Sequence, residues 1–245
     1  MKTSSKMLLG LAAAIIILMI FQLTSLKGFL NTKNIKGNGN LVTSEESLSA
    51  FEKINCGGAV ITYHAGEEYR AVVKIDENLK EYVEVFAENN VLNIRHKKEY
   101  SISPVKFEVD VYCPALTGVT ISGSGSFKNT DKIIASTFET KVSGSGKIEA
   151  TVECDNYFAK ISGAGKITVY GNGTDADISI SGSGKFNGNE FDAKNATVTV
   201  SGSGNVNINV ADNLKAKISG SGNVNYRGEP KVDSNINGSG RLKKI

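Results

Sequence analysis

Apolar side chains fall on every second position over long stretches of this chain, and a quartet, Ser-Gly-Ser-Gly or a near-copy, interrupts the alternation at regular intervals. The quartets start at Ser122, Ser143, Ser162, Ser181, Ser201, Ser219 and Asn237, in steps of 21, 19, 19, 20, 18 and 18 residues, about 19 on average. The residue before each quartet is Ile121, Val142, Ile161, Ile180, Val200, Ile218 or Ile236, always apolar and β-branched. Five residues after each quartet's start stand Phe127, Ile148, Ile167, Phe186, Val206, Val224 and Leu242. Two residues upstream of the first column come Val119, Thr140, Ala159, Ile178, Val198, Ala216 and Ser234, mostly small or apolar. A period of two is the mark of a strand. Each repeat therefore predicts a strand, a glycine corner, a second strand and a variable return. One repeat cannot bury its inward face alone, but stacked copies can, at the ~4.8 Å spacing of hydrogen-bonded strands. The predicted fold is all-β: a β-solenoid over 117–245 with rungs of about 19 residues and three short sides.

The quartet glycines take the corners in this reading: Gly123, Gly125, Gly144, Gly146, Gly163, Gly165, Gly182, Gly184, Gly202, Gly204, Gly220, Gly222, Gly238 and Gly240. Glycine tolerates φ > 0 and close backbone approach. The serines are short and can hydrogen-bond to neighbouring rungs or to local backbone. The quartet thus reads as structure rather than as catalytic machinery.

Ahead of the quartets an N-terminal β region spans 37–116, and within it residues 49–116 alternate without the quartet. "AVITYHAGEEYRAVVKID" predicts two strands joined at Ala65-Gly66, and "EYVEVFAENNVLNIRH" a second pair turning at Asn89-Asn90. "VKFEVDVYCPAL" predicts a strand with Phe107, Val109 and Val111 on one face, ended by Pro114. Whether this region is diverged coils of the same solenoid or a cap is left open by the pattern. Residues 28–36 read as a linker. Ahead of them, Lys2 and Lys6 precede an uncharged run from Met7 to Leu26, closed by Lys27. Its 20 residues can cross ~30 Å of hydrocarbon as a helix, while its most apolar part, Met7–Phe21, has the length of a signal-peptide core. Residues 1–27 are therefore expected to be an export signal, a membrane anchor in preference to a cleaved peptide. Lysines on both flanks leave the orientation unsettled.

Composition narrows the function. Twenty-eight basic and 25 acidic residues give a net charge of +3, too balanced for a nucleic-acid partner. Three cysteines, Cys56, Cys113 and Cys154, form no C-x-x-C or Cys/His cluster, so no metal or other cofactor is expected. They read as small buried hydrophobes, with a Cys56–Cys113 bridge as the oxidised alternative. Asp175 and Asp177 are the nearest approach to a carboxylate pair, and His64 and His96 are the sole histidines. None stands in a catalytic motif, so a non-enzyme is expected. One column suggests a ligand face. Four residues after each quartet's start stand Ser126, Lys147, Lys166, Lys185, Asn205, Asn223 and Arg241, predicted to point outward. Lys147, Lys166 and Lys185 on successive rungs would lie about 5 Å apart, where like charges repel. They either spread into water, which also discourages edge pairing, or meet an anionic partner such as an acidic glycan.

The stretches "GNGNLVTSEESLSAFEKINCGGAVITYHAG", "NNVLNIRH" and "VYCPALTGVTISGSGSF", the recurring "SGSG" and the closing "YRGEPKVDSNINGSGRL" resemble the head GIN domain of auto-transporter adhesins, the DUF2807 family. The resemblance runs from about residue 37 to the C-terminus. It implies a right-handed β-helix-like body on an exported bacterial protein, with an adhesin role, and supplies no catalytic residues. The expected protein is a non-catalytic module of the cell envelope, extracytoplasmic, tied to the membrane by its N-terminus or secreted, and meeting a surface glycan or protein ligand. A structural envelope protein without ligand and a polysaccharide-active β-helix enzyme are the alternatives.

Overall fold

The computed structural model describes residues 33–245. The export signal expected over 1–27 lies outside the described residues. Among the described residues no helix is long and apolar enough to cross a membrane.

The first strands are short: β1 (Lys33–Lys36), β2 (Leu41–Ser47), β3 (Lys53–Cys56), β4 (Val60–Ala65) and β5 (Arg70–Asp76). A 3-10 helix (Glu77–Tyr82) leads to β6 (Val83–Glu88), β7 (Val91–His96), β8 (Tyr100–Ser103) and β9 (Phe107–Cys113). The quartet region contributes β10 (Gly118–Gly123), β11 (Ser126–Asn129), β12 (Ile133–Gly144), β13 (Lys147–Gly163), β14 (Lys166–Gly182), β15 (Lys185–Gly202) and β16 (Asn205–Gly220). It ends with β17 (Asn223–Arg227), β18 (Lys231–Asn237) and β19 (Arg241–Lys244).

From β10 onward every pairing is parallel and links one repeat to the next. The column before the quartets stands in register: Ile121 beside Val142, Val142 beside Ile161, then Ile180, Val200, Ile218 and Ile236. All but Ile236 are buried, and the outward residues between them are largely exposed. This is the expected β-solenoid, held by one continuous apolar interior. Thr140, a polar residue in an inward column, is fully buried and lies 2.8 Å from the Tyr157 hydroxyl. The pair satisfies itself, which is what lets it stay inside. Burial drives the Tyr157 phenol far above its usual pKa, with the Thr140 bond opposing. Its ring packs 5.0 Å from that of Phe191. Rung β15 is one residue longer than the rung before it and two longer than the rung after, differences absorbed as register shifts near Thr168/Tyr170, Gly188/Asp192 and Ala193/Asn195.

The two glycines of a quartet are fixed by different constraints. Gly182 has φ +111°, and a Cβ there would come 2.7 Å from the carbonyl oxygen of Gly163 one rung below. That carbonyl accepts the Ser183 N–H at 2.9 Å, so it cannot give way. Gly184 has no such φ, but a Cβ would overlap Cγ2 of Ile161, the β-branched residue before the previous quartet. The same relation joins Gly165 to Val142, Gly204 to Ile180 and Gly222 to Val200.

The region before the quartets is both coil and cap. β3 and β4 form a rung whose Ile54 and Cys56 pair with Val119 and Ile121, and whose Ile61 pairs with Phe127. Its corner, Gly57–Ala59, has one residue fewer than a quartet. β7 and β9 pair with the far side of β3 and β4, so this rung lies between a later segment and the first quartet rung. Antiparallel β5 and β2 then extend the β9 side, and β6 extends the β7 side. The turn between β6 and β7 places Asn89 and Asn90 at φ 51° and 63°, as a tight hairpin needs. β4 and β5, read from sequence as neighbours across Ala65-Gly66, do not pair with each other; β5 pairs with β9 and β2 instead, because β9 occupies the place beside β4. The expected linker over 28–36 needs a similar correction: Lys33–Lys36 is strand β1, paired with β8. Asp76 explains the glycines that follow. It is fully buried, and burial would raise its pKa, but N–H groups of Gly39, Lys106 and Val105 donate to it and hold the carboxyl below the usual range. A Cβ on Gly37 would collide with that carboxylate.

Candidate functional site

The strands that follow each corner, from β11 to β19, make one side of the solenoid. Seven strands at ~4.8 Å spacing extend about 29 Å along the stack. Their outward residues form columns in register. The first is Ser126, Lys147, Lys166, Lys185, Asn205, Asn223 and Arg241. The second is Lys128, Glu149, Thr168, Asn187, Asn207, Asn225 and Lys243. Tyr170 and Glu190 pair at the far edge, as do Asn209 and Arg227. Lys147, Lys166 and Lys185 are exposed and occupy successive rungs of the first column.

The charge on this side is lopsided. Lys128, Lys147, Lys166, Lys185, Arg227, Arg241 and Lys243 are opposed by Glu149 and Glu190 and, in the edge column that holds Asn209 and Arg227, by Glu153 and Asp192. Among the described residues, none of those seven cations takes part in an ion pair. Asparagine ladders fill the C-terminal half: Asn223 Nδ2 donates to Asn205 Oδ1 at 3.0 Å, and Asn225 Nδ2 to Asn207 Oδ1 at 2.9 Å. Each amide keeps hydrogen-bonding capacity for a further partner. The side carries the flat profile of stacked parallel strands, which suits an extended polymer better than an enclosed small molecule.

Acidic residues collect on the next side. Asp155 and Asp175 are exposed there; Asp192, also exposed, and Glu153 lie in the edge column that Asn209 and Arg227 continue, where Asn209 Nδ2 donates to Asp192 Oδ1 at 2.6 Å and Glu153 pairs with Lys132 at 2.7 Å. An open groove of about 590 Å³ runs past Ile134, Glu153, Cys154, Asp155 and Asp192. Asp175 is tied into a ladder, accepting Asn195 Nδ2 at 3.0 Å, while Asn195 accepts from Asn213 at 2.8 Å.

His64 is part of a cluster that sequence reasoning did not anticipate. Its Nε2 lies 3.1 Å from Asp110 Oδ1, and its Nδ1 3.1 Å from the Thr130 hydroxyl. The order carboxylate, imidazole, hydroxyl invites comparison with a nucleophilic triad. The Thr130 hydroxyl, however, also lies 3.1 Å from the Tyr63 carbonyl and 2.9 Å from Asp131 Oδ2, either of which can take its proton. The His64 ring stacks 4.8 Å from that of Tyr112, and the Arg70 guanidinium lies 3.6 Å from the centre of the same ring. The cluster joins β4, β9 and the turn after β11, and acts as a clamp between rungs. No sequence spacing signals it, because its members come from three separate segments.

The cysteines are free and buried. Burial pushes the Cys113 thiol up to about 12 and the Cys154 thiol up to about 11, and raises Cys56 as well. Such thiols are poor nucleophiles and poor metal ligands at neutral pH.

These features define a class first: a repetitive parallel β-solenoid, closed at one end by antiparallel strands, that displays rows of charged and amide side chains on a rigid face. The chain belongs to the DUF2807 family, described as "Putative auto-transporter adhesin, head GIN domain", which it matches over residues 50–230. A crystal structure of a "Putative lipid binding protein" from Parabacteroides distasonis is similar, with 27% identity and a TM-score of 0.76, over 87% of this chain and 100% of that one. A "putative adhesin" from Bacteroides fragilis shares the fold at 20% identity and a TM-score of 0.79, over 86% of this chain and all of the other. Another from Parabacteroides merdae does so at 24% identity and a TM-score of 0.69, over 87% of this chain and all of the other. No curated protein matches the chain.

Proposed function

We propose that this protein is an extracytoplasmic, non-catalytic interaction module, adhesin-like in role, whose basic face from β11 to β19 takes an acidic polysaccharide. The observation that carries the reading is the row of cations without ion-pair partners on a flat side of the stack. Like charges held one strand spacing apart raise one another's free energy, and a polyanion laid along the row relieves that repulsion. The asparagine ladders beyond Lys185 offer donors and acceptors to sugar hydroxyls along the same line. The apolar run Met7–Leu26 and the adhesin description of the family support a place outside the cytoplasm, attached through the N-terminus.

The test is binding of the purified protein to polygalacturonate and to neutral dextran at low and high salt. Binding to the acidic polymer is expected, weakening as salt screens the charges, and dropping sharply in a Lys147→Ser/Lys166→Ser/Lys185→Ser variant. Equal affinity for dextran, or full binding by the triple variant, would overturn the reading. Protease treatment of intact cells, followed by fractionation, tests the location: an intact body, protected from the protease and recovered in the cytoplasmic fraction, would contradict it.

A further inference from the structure

The two ends of the stack are unlike. At the N-terminal end, β5, β2, β6 and the 3-10 helix cover the interior, with Leu79 fully buried. At the other end, β18 pairs with β16 and β19 with β17, and among the described residues no strand meets their outer edges. The inward columns run on into that last layer. Leu214 leads to Val232, Ala216 to Ser234, Ile218 to Ile236 and Val224 to Leu242. The residues of the rung below are buried, but Val232 is 38% and Ile236 41% exposed, and Ile245, after β19 in the same last layer, is 52% exposed. Three of the eight exposed large hydrophobics thus gather at one end of the molecule.

The β18 sequence, Lys-Val-Asp-Ser-Asn-Ile-Asn, has a property that a single copy does not use. Set antiparallel to a second β18 about a two-fold axis through Ser234, it pairs Val232 with Ile236, Ser234 with itself, Asp233 with Asn235 and Lys231 with Asn237. Apolar meets apolar on the interior side. On the outer side each charged residue meets an amide, never a like charge. A two-fold axis normal to that side keeps both interiors on the same side of the joined sheet, as a continuous core requires. Nothing in β18 blocks the pairing: it contains no proline and no inward charge, the usual protections of an edge. We infer that a second copy of this chain docks on the C-terminal end through antiparallel β18–β18 pairing, joining two solenoids end to end into one core.

The experiment uses the full chain in detergent micelles. Facing residues in an antiparallel pair have Cα atoms within disulfide reach. Under mild oxidation Ser234→Cys is therefore expected to give a covalent dimer on a non-reducing gel, while Ser201→Cys, equally exposed but in the middle of the stack, stays monomeric. Sedimentation of the unmodified protein is expected to give twice the chain mass. Ile236→Lys is expected to return the single-chain mass with an unchanged circular dichroism spectrum. A single-chain mass for the unmodified protein, equal cross-linking of the two cysteine variants, or open-ended assemblies beyond the dimer would each overturn the inference.

Discussion

Replacing Gly182 and Gly184 by alanine, one at a time, separates two kinds of constraint within a single corner. At Gly182 the backbone sits at φ +111°, where an L side chain costs ~1–3 kcal/mol, and the new Cβ presses on the Gly163 carbonyl 2.7 Å away. The expected loss is about 2–4 kcal/mol, which for a domain of this size lowers Tm by roughly 5–15 °C. At Gly184 the backbone is ordinary, and the new Cβ overlaps Ile161 Cγ2, an overpacking penalty of ~1–3 kcal/mol. Ser183 is exposed, so Ser183→Ala should stay within ~0.5 kcal/mol. A double-mutant cycle tells the two glycines apart. In an Ile161→Ala background, itself costing ~2–5 kcal/mol, the overlap with Cγ2 is gone and the Gly184→Ala penalty should shrink, leaving the milder approaches to the Gly165 carbonyl oxygen at 3.1 Å and the Cβ of residue 161 at 3.2 Å. The penalty of Gly182→Ala should persist there, since its obstacle is backbone. Urea unfolding followed by circular dichroism measures all of these differences. Equal Tm for the Gly182→Ala and Ser183→Ala variants, or a Gly184→Ala penalty unchanged by Ile161→Ala, would refute the reasoning.

Other expectations follow from single groups. Asp76 has a lowered pKa, so its contribution to stability is complete above the ordinary carboxyl range and is lost as pH falls through the lowered value. Asp76→Asn should therefore be less stable than the parent at neutral pH, with the gap closing in acid, as acid titrations of the two would record. The raised thiols work at the other limb: their contribution is intact below the usual thiol value of 9.0 and drains away as pH climbs toward about 11 for Cys154 and about 12 for Cys113. Alkaline unfolding should flatten in a Cys113→Ala/Cys154→Ala variant. The native thiols should resist a disulfide reagent at pH 8 until denaturant is added. Tyr157→Phe should cost ~1–2 kcal/mol or less, because the Thr140 hydroxyl retains the Phe158 carbonyl at 3.3 Å as a partner; a larger loss in thermal melts would mean the buried pair is more tightly coupled than that geometry implies.

The solenoid was legible because its constraint repeats. The fit of each second glycine, from Gly146 to Gly240, over a β-branched residue of the preceding rung recurs along the stack, so the columns of Ile161, Ile180 and Val200 stand out from one sequence alone. The first rung escaped the period because Gly57–Ala59 closes its corner with one residue fewer and no serine. Two apolar columns, Ile54 with Cys56 and then Ile61, were its only trace. The pairing of β5 with β9 rather than β4 was invisible, since alternation fixes which face a strand buries but not which neighbour it takes. The lysine column came from counting, because a parallel in-register stack turns equal offsets into neighbours. The imbalance of the whole face needed the partners of every charge.

The early rung made by β3 and β4 sits between two segments synthesised after it. Shortening the molecule is therefore a directional affair. Trimming back from Ile245 sheds one layer at a time and bares an equivalent edge on each occasion, whereas excising Lys53–Ala65 pulls a leaf from the middle of the pile and parts the cap from everything above it. Variation in the number of layers can be accommodated among the quartet rungs, where chain order and stacking order coincide, and the reach of the molecule lengthens or shortens in increments of one strand.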